Sequence, residues 1–275
     1  MKIGYTLWTW LLDEHNEWKP VSQYPKRDFE QSLREIADLG YAAFENFNLV
    51  VDMYESCPQE FAALTRKYGL EFVNVYHYMK GDISAEMEMA ERCCRFNNTH
   101  GAELINIEAP DVAVGATTAE DLDNLVRNLA EMGKLARRFG TVLCLHPHYG
   151  TTCFYEAEID YILSRVEPAL LSLCMDTAHT YLAGMDPAQA FKKYISRIRY
   201  VHLKDVDPEL AKAADSPMRG ITALGEGIIG FREVMNVLKA GGYDGYLTVE
   251  CDFNRVCNYE SAAVSRAYIH RVLGM

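Results

Sequence analysis

The chain has 275 residues, 49% of them hydrophobic, with 27 Lys and Arg against 39 Asp and Glu and a formal net charge of −12. That length and apolar content suffice for a large core, and α/β barrels commonly use about 250 residues as one domain, the expectation here for residues 1–275. The acidic balance argues against a nucleic-acid partner, which needs a basic surface, and no run approaches the roughly 18 apolar residues of a membrane span.

Short β-rich runs alternate with longer amphipathic ones along the whole chain. A strand at 2–7 leads through Leu7-Trp8-Thr9-Trp10 into a long connection, 8–26, which also holds His15 and Trp18. A helical pattern at 27–39 stops at Gly40, and a strand at 41–45 ends on Glu45. Helix 57–68, Gly69 and strand 70–76 follow, with His77 at the strand end. Helix 84–100 and Gly101 precede strand 103–107, which ends on Glu108. Thr117-Thr118 before Glu120 and Asp121 is an oxygen cap with early acids, the signature of a helix start, here for 118–139. Gly140 then precedes strand 141–146, helix 156–166 and strand 171–176. Glycines that follow an apolar-periodic stretch mark helix stops.

Helix 187–195, strand 198–203, helix 230–240, strand 245–250 and helix 258–272 complete the pattern. A second long connection, 204–227, carries Lys204, Asp205, Asp207, Arg219 and Glu226, and Leu224 to Gly230 reads as a glycine-flexed helix entry. Structureless connections of this length in a compact domain usually serve as lids or binding loops. Eight βα units without a Pro- or Ser-rich linker imply parallel strands. No Gly-rich phosphate turn follows the first strand, which weighs against an open doubly wound sheet. A closed (β/α)8 TIM barrel is the expected fold.

The eight cysteines, Cys57, Cys93, Cys94, Cys144, Cys153, Cys174, Cys251 and Cys257, form no CxxC pair and no scaffold spacing. Several sit in apolar strands, where a free Cys packs as a small hydrophobe. Lys2-Ile3-Gly4-Tyr5 enters a strand directly, without the charged leader and apolar core of a signal sequence. A soluble cytoplasmic protein is expected.

Four apolar runs each stop at a residue that binds metal or moves protons: His146, Asp176, His202 and Glu250. Buried strands ending this way direct polar groups to the carboxyl face, where a barrel assembles its site. Asp176, His202 and Glu250 suit Mn²⁺, Co²⁺, Mg²⁺ or Zn²⁺. Alone, Asp176 reads equally well as a helix N-cap; three such ends on successive units favour a shared ligand set. His146 and His148 flank Pro147 and fall on one side of their strand, so one can bind metal while the other contacts substrate or shuttles a proton. Glu108, His77 and Glu45 end the fourth, third and second strands and are open between ligand, substrate contact and structural hydrogen bond. His179 is assigned to substrate, and Arg219 to the same site from its long loop; Trp8 and Trp10 either both line an aromatic wall for a sugar ring or at least one of them packs under the barrel mouth. His100 and His270 lie on helical patterns and are expected at the surface.

At these residues the chain resembles the sugar phosphate isomerase/epimerase superfamily, the xylose-isomerase-like barrels, over essentially its whole length. The most specific parts are Cys174-Met175-Asp176-Thr177-Ala178-His179, Tyr200-Val201-His202-Leu203-Lys204-Asp205, Gly225-Glu226-Gly227 and Val249-Glu250. The resemblance implies that Asp176, His202 and Glu250 hold one divalent cation, Mn²⁺ first among the candidates, and that His179 touches substrate. Members of this type usually place a Glu at the end of the fifth strand, as ligand and as one of two acid/base carboxylates. Here His146 takes that place, and His146-Pro147-His148-Tyr149-Gly150-Thr151 is similar to the His-x-His-x-Gly-Thr stretch of inosose dehydratases. Glu108 is a further candidate ligand from the fourth strand.

The function this implies is metal-assisted proton abstraction beside a carbonyl, with Glu250 or His146 as base. The enediolate then loses a hydroxyl, as in inosose dehydratases, or is reprotonated to an isomer or epimer. The His in the fifth-strand place favours elimination. Two other readings are an abasic-site endonuclease-like phosphodiesterase, disfavoured by the net charge of −12, and a non-catalytic sugar-binding barrel. The expected partner is a small sugar or cyclitol, without phosphate because no basic cluster marks a pocket for one; barrels of this size also often form homo-oligomers.

Overall fold

A computed structural model describes residues 1–11 and 26–275. His15 and Trp18 lie outside the described residues. The barrel strands are β1 (Lys2–Thr6), β2 (Ala43–Phe47), β3 (Glu71–Tyr78), β4 (Leu104–Glu108), β5 (Val142–His146), β6 (Ser172–Asp176), β7 (Ile198–Leu203) and β10 (Tyr246–Val249). All their pairings are parallel, and the sheet closes in the order β1-β10-β7-β6-β5-β4-β3-β2. The expected (β/α)8 TIM barrel is the fold found.

The main helices are α1 (Lys26–Asp38), α2 (Leu49–Tyr54), α3 (Pro58–Tyr68), α4 (Ile83–His100), α5 (Ala119–Arg138), α6 (Glu156–Leu163), α7 (Thr177–Leu182), α8 (Pro187–Tyr194), α9 (Pro208–Ala213), α10 (Phe231–Ala240) and α11 (Asn258–Tyr268). The start signal read before α5 is a full capping box: Thr118 accepts from the Asp121 N–H, and Asp121 accepts from the Thr118 N–H. Gly69 and Gly101 end α3 and α4 with φ of 65° and 75°, a left-handed conformation that glycine adopts without strain.

Strand alternation divides the side chains into two sets. Outward residues such as Ile105, Ile107, Leu143, Leu145, Leu173, Met175, Val201 and Leu203 form one apolar core with the helices, including Leu125, Leu129, Ile159, Phe191 and Phe231. Inward residues Ala43, Val73, Cys144, Cys174 and Tyr200 close the lower interior as a separate small cluster. All eight cysteines are free. Among the described residues, no helix is long and apolar enough to cross a membrane.

The connection at 204–227 is not the structureless loop expected. Its ends, β8 (Asp205–Val206) and β9 (Ile221–Thr222), pair antiparallel, with α9 and a 3₁₀ turn at Pro217–Gly220 between them. The glycine-rich stretch after it wraps an anion rather than merely flexing. The Asp205 carboxylate accepts from the N–H groups of Gly225, Gly227 and Ile229 at 2.9, 3.0 and 3.0 Å. A Cβ at Gly227 would lie 2.3 Å from Asp205 Oδ1, so only glycine permits the wrap.

Candidate active site

Above the small apolar floor the barrel interior turns polar. Tyr200 and His202 on β7, Cys174 and Asp176 on β6, and Cys144 and His146 on β5 share the inward face by alternation. Glu250 follows β10 directly. Asp176, His146 and His202 are buried at 1%, 0% and 0% exposure, and Glu250 at 5%.

One carboxylate oxygen each from Asp176 and Glu250, and one nitrogen of His202, lie within 4.8 Å of one another. His202 Nδ1 is 2.8 Å from Glu250 Oε2 and 3.9 Å from Asp176 Oδ2. These approaches lack hydrogen-bond geometry: Asp176 Oδ2, Glu250 Oε2 and both His202 nitrogens are buried without a hydrogen-bond partner. Unpaired buried groups of this kind are costly, and a divalent cation among them would satisfy all three side chains. Two carboxylates and an imidazole suit Mn²⁺, Co²⁺, Mg²⁺ or Zn²⁺. Asp176 also serves as the N-cap of α7, its Oδ1 accepting the His179 N–H at 2.9 Å, so the capping and ligand readings hold for different oxygens of one side chain.

His146 stands beside this set, with both ring nitrogens buried and unpartnered and its ring 4.9 Å from that of His202. Candidate ligand clusters include His146, once with Cys174 and His202 and once with His148 and His179. Glu108 is in none of them. Its carboxylate accepts from the Tyr76 hydroxyl and lies 3.1 Å from His148 Nδ1.

Charge in the site is balanced by Lys204, which the same β7 alternation carries inward just beyond His202. Its ammonium donates to Asp252 Oδ1 at 3.1 Å and lies 2.9 Å from Glu250 Oε2 and 3.7 Å from Asp176 Oδ2. Burial works to lower the Lys204 pKa, but Asp252, Glu250 and Asp176 hold it well above the ordinary value. Burial likewise works to raise Glu250, but Lys204 and His202 hold it well below the usual carboxylate range. Burial raises Asp176, and pushes Asp252 up to about 7. The imidazoles of His146 and His179 are held well below their ordinary value, mainly by burial, and His148 is pushed down to about 4.

The remaining expectations divide by position. Trp8 is in the site: its indole N–H donates to Glu250 Oε1 at 2.6 Å and its ring meets Phe47 edge-on at 5.8 Å. His148 and His179 pack with ring centroids 3.9 Å apart on the β5–β6 side. Glu45 sits deeper than a substrate contact, because β2 runs on to Phe47; its Oε1 lies 3.0 Å from His202 Nε2, beneath that imidazole. His77 does not face the site. β3 extends to Tyr78, alternation turns Tyr76 inward and His77 outward, and His77 Nε2 hydrogen-bonds Glu86 on α4. Of the two readings open for the tryptophans, Trp10 takes the packed one, edge-on against Tyr5 and donating to Glu35 of α1 at 2.7 Å. Arg219 is exposed at the rim, stacked 4.5 Å over Phe253. His100, expected at the surface, is half-buried between Phe61 and Phe96, 4.5 Å from each ring, while His270 is exposed.

Lys204, named from the sequence without a role, and Asp252 and Tyr76, not named there, are site residues. Lys204 and Asp252 each lie two positions past a residue that was singled out, a readable signal. Tyr76 had none, since the bulge between β2 and β3 sets its direction.

A family model described as a xylose isomerase-like TIM barrel matches residues 33–267. An inosose dehydratase of Geobacillus thermodenitrificans is 35% identical over 169 residues, 58% of this chain and 57% of that protein. The chain thus spans little more than half the length of the curated relatives it matches. Among solved structures, the probable 3-DHS dehydratase AsbF involved in petrobactin synthesis from Bacillus anthracis superposes with a TM-score of 0.77 at 17% identity, covering 99% of this chain and 100% of that one. An L-ribulose 3-epimerase superposes at 0.78 with 18% identity, covering 98% and 93%. At these identities the likeness is one of fold.

Proposed function

The chain belongs to the xylose isomerase-like TIM barrel family, and on that premise we propose that it is a divalent-cation-dependent enzyme that removes the proton beside the carbonyl of a keto sugar or cyclitol and then expels water. The observation that carries this reading is the convergence, at the carboxyl end of the barrel, of buried ligand atoms of Asp176, His202 and Glu250 that lack a hydrogen-bond partner. His146, unpaired on both nitrogens, completes the proposed ligand set. A bound cation would polarise the carbonyl and favour negative charge on its oxygen.

Glu250, ionised across the working range, is the proposed base. The Trp8 indole N–H fixes one of its oxygens and Lys204 offsets its charge. Glu45 Oε1 lies 3.0 Å from His202 Nε2, beneath the imidazole. Lys204 is committed to neighbouring carboxylates, which supports an uncharged polyol substrate over a sugar phosphate. The inosose dehydratase relatives favour dehydration; reprotonation of the same enediolate, giving an epimer or isomer, is the second reading, in line with the L-ribulose 3-epimerase fold. Incubation with Mn²⁺ and an inosose or a ketohexose in D₂O tests both. Deuterium uptake with water loss supports dehydration, and uptake with a new epimer or isomer supports the second reading. No uptake and no new carbonyl species would overturn the two together.

A further inference from the structure

Elimination of water beside a carbonyl needs two proton-handling groups, one to take the α-proton and one to protonate the departing hydroxyl. The fifth strand supplies no carboxylate for the second task, since His146 ends it. The fourth strand does. In the closed order of eight strands, β4 lies four strands from β10 in either direction, so Glu108 at the end of β4 stands across the barrel mouth from Glu250.

Glu108 is held firmly yet not neutralised. Tyr76 donates to Oε2, and His148 Nδ1 lies 3.1 Å from Oε1 and 2.9 Å from the Tyr149 carbonyl. Burial pushes the Glu108 carboxyl up to about 7; the Tyr76 hydrogen bond and, from further away, Lys204 favour ionisation, while Asp111 and Glu250 add to the rise. Among the described residues no ligand cluster includes it, and the end of β4 lies on the carboxyl face where a barrel binds its substrate.

We propose that Glu108 is the catalytic acid that protonates the leaving hydroxyl, from the wall opposite Glu250, with Tyr76 and His148 as its positioning residues. This rests on the dehydration reading above. The C–H bond beside the carbonyl breaks, its proton passes to Glu250, and its electron pair enters the enediolate. That pair then becomes the new C=C bond as the β C–O bond breaks and the carbonyl re-forms. The departing oxygen takes the Glu108 proton and leaves as water. Carbon skeleton and protein undergo no net redox change, and the proton on Glu250 returns to Glu108 through solvent.

The test compares wild type with Glu108→Gln, each loaded with Mn²⁺, using an inosose in D₂O. Water loss should fall about 10²- to 10⁴-fold, while deuterium still enters the recovered substrate and metal content and unfolding temperature stay unchanged. Glu108→Asp, which keeps a carboxyl, should retain exchange and recover part of the elimination rate; it also serves if the Gln variant fails to fold. Elimination within tenfold of wild type in Glu108→Gln, or loss of exchange together with elimination, would overturn the assignment. A wild-type protein that neither exchanges nor eliminates overturns the dehydration reading instead, a distinguishable result.

Discussion

A buried ammonium among carboxylates is stable only while each charge keeps its partners. Lys204 Nζ lies 3.7, 2.9 and 3.1 Å from Asp176, Glu250 and Asp252, so Lys204→Met leaves all three carboxylates without their cation. The expected cost is about 3–5 kcal/mol, read as a lower unfolding temperature in chelator by calorimetry. Added Mn²⁺ should restore part of it in the variant, and an equal loss with and without metal would contradict a shared site. His202 and Glu250 were legible in the sequence because an apolar run stops at each. Lys204 and Asp252 obey the same two-residue period one step further, past the hydrophobic signal, where the chain reads as loop.

An element can be pinned by one side chain from far along the sequence. Asp205 opens the β8–β9 hairpin, and its carboxylate ties that hairpin to the turn before α10 through the N–H groups of Gly225, Gly227 and Ile229. Asp205→Ala leaves those donors without acceptors, and an unsatisfied buried group costs about 1–3 kcal/mol. Urea unfolding should show a lower midpoint with an unchanged slope; an unaltered midpoint would mean that water replaces the carboxylate. Gly227→Ala, whose Cβ meets Asp205 Oδ1 at 2.3 Å, should destabilise in the same direction. The glycines announced a turn in the sequence. That the turn closes on an acid 20 or more residues earlier was not legible, because local propensity carries no information about distant partners.

The proposed ligands come from β5, β6, β7 and the end of β10, so a bound cation would be felt by the whole barrel. A cation that binds the folded chain and not the unfolded one adds about 2.7 kcal/mol at a hundredfold excess over its dissociation constant. Mn²⁺ should therefore raise the unfolding temperature of chelator-treated protein, and Asp176→Asn should flatten that response; an equal rise in both would place the ion elsewhere. The sequence by itself determined the barrel and the metal-type strand ends, because both follow from local periodicities, 3.6 for helices and 2 for strands, and from where each apolar run stops. Only the tertiary structure decided the rest. The bulge and two extra residues of β3 turned His77 outward to Glu86 and Tyr76 inward to Glu108, and two extra residues of β2 put Glu45 beneath His202. Trp10 left for α1 while Trp8 stayed with Glu250. Where a side chain points depends on where a strand ends, and that is fixed by pairing with neighbours rather than by the strand's own residues.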